Sequence, residues 1–128
     1  MKDGISGIGV VSTLVPATQS ATAKGTAVDL QGFNSAAVIV NTGAIVSAGL
    51  YVMSMQESNT TTDGDFTDVV AGDMLRAFPA SLAASSVYKV GYKGAKRYIR
   101  AVITKTSGTS IDAGAVVVRG HPYDAPVA

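Results

Sequence analysis

Asp63, Asp65 and Asp68 stand at i, i+2 and i+5 around Gly64. Carboxylates gathered on a turn suit a hard cation such as calcium, which collects several oxygens at once. Glu57 is the only glutamate and precedes them, so the closing ligand of an EF-hand loop is missing. The run Ser58-Asn59-Thr60-Thr61-Thr62 ahead of the aspartates makes a solvated loop tip the expected structure. His121 is the single histidine, and Ser107 and Ser110 are hydroxyls that such a base could activate. It sits beside Pro122 in a tail, and no Gly-x-Ser-x-Gly elbow is present, so a surface histidine is expected in place of a triad. Gly7 and Gly9 lack the third glycine and the strand-turn-helix setting of a phosphate loop, and read as flexibility. The chain has no cysteine, which excludes disulfides, thiolate nucleophiles and sulfur-held zinc. No catalytic residue, cofactor or metal is expected, and a small-molecule ligand is not.

Tyr88, Tyr92 and Tyr98 are interleaved with Lys89, Lys93, Lys96, Arg97, Arg100 and Lys105. Aromatic rings on one face could stack on a sugar, but Tyr88 and Tyr92 alternate with Val90 as an inward face does, so core packing is expected. Lys89 and Lys93 then face solvent or a partner. Residues 1–73 carry two basic and seven acidic side chains, and residues 74–128 eight basic and two acidic. The net charge of only +1 argues against nucleic acid, which attracts a much larger excess. The asymmetry suits docking onto partners of opposite sign or onto further copies.

These side chains must be positioned by strands. Val, Ile and Thr supply 36 residues against five Leu and one Glu, and β-branched side chains pack on pleated surfaces better than they fit helices. Apolar runs punctuated by Gly, Asn, Asp and Ser predict strands over 27–30, 36–41, 49–57, 66–70, 87–93, 97–104 and 115–119. The 49–57 strand reads as central. A turn is expected at Asn41-Thr42-Gly43, and Gly94-Ala95 is expected to close a hairpin of 87–104. Met74, Leu75, Phe78 and Leu82 are spaced as on a short helix within 72–86. Residues 1–24, with Gly4, Gly7, Gly9 and Pro16, read as an extended arm with at most one strand near 10–15. The expected fold is all-β: a single-domain antiparallel β-sandwich of jelly-roll type over 25–122, with the N-terminal arm 1–24 and a C-terminal tail 123–128.

With 47% hydrophobic and 15% charged residues, 128 residues make one domain with too little charge to cover a free surface. No apolar run reaches the ~18 residues of a membrane span, and no secretory leader is evident at Met1-Lys2-Asp3-Gly4. The segments Ala27-Val28-Asp29-Leu30-Gln31-Gly32-Phe33, Val38-Ile39-Val40-Asn41-Thr42-Gly43, and Tyr88-Lys89-Val90-Gly91-Tyr92 with Lys96-Arg97-Tyr98-Ile99-Arg100-Ala101-Val102 resemble small structural proteins of tailed bacteriophages. The resemblance is to capsid decoration, or cement, proteins. It implies a β-rich homotrimer made in the bacterial cytoplasm and bound on the outer capsid surface of the virion, where major capsid protein subunits meet. Ile5, Ile8 and Val10 of the arm and Lys89, Lys93 and Lys96 are the expected partner interface. A glycan-binding module using the tyrosines and a head-completion or tail component are the alternative readings.

Overall fold

The computed structural model describes residues 4–123. Its strands are β1 (Ile8–Gln19), β2 (Ala23–Lys24), β3 (Val28–Asp29), β4 (Phe33–Val46), β5 (Leu50–Ser58), β6 (Thr67–Asp68), β7 (Met74–Leu75), β8 (Val87–Tyr92), β9 (Tyr98–Ser107) and β10 (Ser110–Pro122). One antiparallel sheet has the order β1-β10-β4-β8-β7 and the other β2-β9-β5-β6, with β3 also paired to β9. We call them sheets A and B. Taking β2 and β3 as one interrupted strand and β7 as an addition beside β8, sheet A runs first–last–third–sixth. Sheet B runs second–seventh–fourth–fifth. That is the connectivity of a jelly roll, in which the chain crosses between two facing sheets at every connection except the fourth-to-fifth hairpin.

The alternation of side chains along each strand explains the core. Val38 and Val40 of β4, Val90 of β8 and Ala115 and Val117 of β10 point from sheet A toward sheet B. Tyr51, Met53 and Met55 of β5 and Ile99, Ala101 and Ile103 of β9 answer them, all buried. Leu14 of β1 and Leu82 of the 76–86 segment join the same cluster.

Several sequence expectations are corrected. The stretch read as an arm is a sheet strand from Ile8 onward, because β1 pairs with β10 from Ile8↔Gly120 to Gln19↔Ile111. Residues 1–3 and 124–128 lie outside the described residues. Asn41-Thr42-Gly43 is no turn but a bulged stretch of β4, opposite a register shift in β10 between Ile111 and Ala113. Segment 87–104 is no hairpin, since β8 belongs to sheet A and β9 to sheet B. Gly94 is needed there for space: a Cβ would lie 2.5 Å from the Tyr92 hydroxyl. The expected helix is replaced by β7 and an irregular segment, because Met74 and Leu75 pair with Tyr92 and Gly91 and Leu82 hangs from the Tyr51 carbonyl by its N–H at 2.8 Å. β5 lies between β9 and the two-residue β6, so its outward side chains stay half-exposed.

Candidate assembly surfaces

The outer face of sheet A is built by residues that alternate with the core. Register carries one level straight across all five strands: Val10↔Val118, Val118↔Ala37, Ala37↔Gly91 and Gly91↔Leu75. Partners in register share a face, so this level is wholly apolar. The next level is Ser12, Val116, Ile39 and Lys89, and the one beyond Val10 on the other side is Ile8, Gly120 and Ser35. Val10 and Leu75 are each 56% exposed and Val87, on the same face beside Asn41, is 67% exposed. Shallow depressions lined by Gly7, Ile8, Ala37, Leu75, Val118 and Pro122 at one end and by Pro16, Ile39, Asp112 and Val116 at the other extend this face.

The expected interface residues divide between two surfaces. Ile8, Val10 and Lys89 come together on the outer face of sheet A. Lys93 and Lys96 do not join them; they line a cleft of about 620 Å³ at one end of the sandwich with Leu30, Phe33, Asn34 and Tyr123. Ile5, 74% exposed, precedes β1. The cleft is shaped by backbone anchors: the Lys93 N–H donates to the Asp73 carbonyl at 2.8 Å and the Lys96 N–H to the Tyr92 hydroxyl at 3.0 Å. The Tyr92 hydroxyl also donates to Glu57 at 3.2 Å. Burial, with the Glu57 carboxylate beside it, pushes the Tyr92 phenol up to about 12.

Arg97 and Arg100 are occupied within the chain. Arg97 grips Asp29 through two N–H donors at 3.0 and 2.9 Å, and this guanidinium holds the Asp29 carboxyl below its ordinary value. Arg100, whose side chain is only 7% exposed, reaches Asp63 at 2.8 Å and Gln56 Oε1 at 2.7 Å and lies 4.0 Å above the Phe66 ring. Asp63 also meets Lys24 at 3.1 Å, and the two cations, Arg100 foremost, lower its pKa. The basic half of the sequence is thus partly neutralised by the acidic half of the same molecule.

The three aspartates are not brought to one point. Asp65 accepts from Thr60 Oγ1 at 2.7 Å and Asp68 from Gln56 at 3.2 Å, while Asp63 holds Arg100 and Lys24. No group of three or more metal-ligating side chains occurs among the described residues. His121 shares its Nδ1 with Ser35 Oγ at 2.9 Å, at the end of β10 opposite Ser110, so no hydroxyl of the 107–110 turn meets it. Tyr88 accepts from the Ala83 N–H, Tyr92 is buried and Tyr98 is half-buried, so the three rings form no exposed platform.

Two features escape sequence reasoning. Leu75 completes the apolar level, yet its helix-like spacing hid a two-residue strand. Gly9 serves close packing where flexibility was expected: a Cβ there would stand 2.9 Å from Arg119 Nη2 and 3.1 Å from Phe33, over which the Arg119 guanidinium lies at 4.4 Å. Alternation of β10 could have pointed to Arg119 as the charged end of an otherwise apolar inner face.

No protein family matches this sequence, and no curated protein does. Among solved structures, the SPBc2 prophage-derived protein YomS is similar over 93% of this chain and 97% of that one, with TM-score 0.53 and 10% identity. A structure of infectious bursal disease virus, Gx strain, matches over 91% of this chain and 32% of that one at TM-score 0.45 and 12% identity. PirA matches over 94% and 97% at TM-score 0.44 and 12% identity. At such identities, the likeness to YomS establishes the shared β-sandwich and nothing finer.

Proposed function

We propose that this protein is a non-enzymatic structural component of a phage virion, which decorates the outer capsid and stabilises it by binding where major capsid subunits meet. The observation that carries the reading is the uninterrupted apolar level Val10-Val118-Ala37-Gly91-Leu75 on the outer face of sheet A. A contiguous apolar level bracketed by Val10 and Leu75, each 56% exposed, is the kind of surface that marks a contact site. Conventional chemistry has no counterpart to it: among the described residues, the candidate nucleophiles, base and carboxylates are dispersed. The sandwich shared with a prophage-derived protein is in keeping with this reading. Lys93 and Lys96, at the end of the sandwich, offer a second contact to acidic groups of the shell.

A cement subunit acts by mass action, binding the closed lattice better than loose capsomers and so adding its binding free energy to the shell. Cryo-electron microscopy of purified particles tests the proposal. Density for this sandwich on the outer shell is expected, and particles lacking the protein should release DNA at a lower temperature. Density at the head–tail joint, or absence of the protein from purified particles, overturns the decoration role.

A further inference from the structure

We infer that the outer face of sheet A is covered by the same face of a second copy, in a two-fold symmetric dimer. The inference rests on reading that face as an assembly surface and names its occupant; contact with the shell then falls to the Lys93–Lys96 end of the sandwich. Three observations favour a copy of this chain.

The first is charge. Lys89 and Asp112 both border the apolar centre, and among the described residues neither has an ion-pair partner. Lys89 is level with Val116, so Asp112 lies four residues along β10 and two strands over, ~13 Å along and ~10 Å across. One positive and one negative corner make the face self-complementary. When two such faces meet about a two-fold axis lying in the contact plane, the contact of Lys89 with the partner's corner aspartate recurs in reverse.

The second is area. Four strands at ~4.8 Å spacing with about six residues along each, and the two residues of β7 beside them, give a patch of ~400 Å². Two such patches bury ~800 Å² together, the small end of the range, which suits a weak, concentration-dependent dimer.

The third is that the sheet edges discourage another mode. β1, at one edge, carries Pro16 and two register shifts, and β7, at the other, is two residues long. Both devices blunt strand-to-strand addition, leaving the face as the route for copies to join. This geometry takes two copies, where the phage resemblance implies three.

Sedimentation equilibrium of the full chain at 10–100 µM, a range of ~10-fold chosen to span ordinary weak dimers, should give twice the 12.9 kDa monomer mass. Val10→Asp with Leu75→Asp, both at exposed positions, should sediment as a monomer with an unchanged far-ultraviolet spectrum. Lys89→Glu should weaken association by ~10-fold, and Asp112→Lys added to it should restore it. A monomeric or trimeric wild type, a Val10→Asp/Leu75→Asp protein that still dimerises, or a charge reversal without rescue overturns the inference. A dimer that is absent from particles would instead overturn the proposed function alone, and a monomer that occupies the shell would overturn the dimer alone.

Discussion

Thr13 is the side chain on which the two sheets are tied at their open corner, and replacing it with valine isolates that tie. β2 pairs with β9 at Val102 and Ile103, and β3 pairs with it at Tyr98 and Ile99. Between them the strand is interrupted, and the Ala101 N–H would lose its ladder partner. Thr13 Oγ1, on β1 of the other sheet, accepts that N–H at 3.1 Å and donates its own proton to the Thr26 carbonyl at 2.8 Å. Thr13 is 1% exposed, so no water can replace it. Valine keeps the shape and removes both bonds. A buried N–H left unsatisfied costs ~1–3 kcal/mol and the lost carbonyl bond ~1 kcal/mol, so Thr13→Val should cost ~2–4 kcal/mol. For a domain of this size that lowers Tm by ~10 °C. Thr13→Ser, which retains the hydroxyl and loses one methyl, should cost only ~1 kcal/mol. Urea titration followed by circular dichroism measures both, and hydrogen exchange should show the Ala101 amide opening faster in the valine variant. A valine variant within 0.5 kcal/mol of wild type, well under the ~1 kcal/mol minimum for an orphaned donor, refutes the tie. So does a serine variant less stable than the valine one.

Three further outcomes are expected. Ser47 and Ala48 both have positive φ, at 51° and 54°, in the turn closed by the Gly49 N–H on the Val46 carbonyl, so Ala48→Gly should stabilise the fold by ~1 kcal/mol in thermal melts. Deleting residues 1–15 removes Thr13 and Leu14 and strips β10 of its neighbour, so cooperative melting should be lost, whereas deleting 1–6 should preserve it. The Tyr92 phenol ionises near 12 in the folded protein and near 10 when unfolded, so its contribution is complete below pH 10 and fades as pH rises toward 12. Tyr92→Phe should therefore remove the component near 12 from an ultraviolet phenolate titration and flatten the loss of stability between pH 10 and 12.

The β class was legible because it rests on local chemistry: Val, Ile and Thr prefer pleated backbone wherever they fall. The inward alternation of Tyr88, Val90 and Tyr92, and of Ile99, Ala101 and Ile103, was legible for the same reason. Pairing partners were not. Gly94-Ala95 has the local look of a hairpin turn, and only the position of sheet B relative to sheet A decides that the chain crosses there. Likewise nothing in residues 8–19 announces that β10, about a hundred residues later, will supply their ladder. The interface set illustrates the limit: Lys89 and Lys93 are four residues apart in sequence, yet the strand end between them sends one to the sheet face and the other to the end cleft.

The position of β10 between β1 and β4 bears on how the protein is made. Ile8 faces Gly120 and Gln19 faces Ile111, so β1 is synthesised about a hundred residues before the strand that pairs with it. Contacts this distant in sequence close slowly and late. The level that runs from Val10 through Val118 to Leu75 is contiguous only once β10 has inserted. Before β10 arrives, the edges of β1 and β4 are unpaired and the apolar surface they later bury is open, so the incomplete sheet is prone to non-specific association, while the specific face is absent. Competence for specific assembly appears only when β10 has paired on both sides, so the topology ties association to closure of the sandwich.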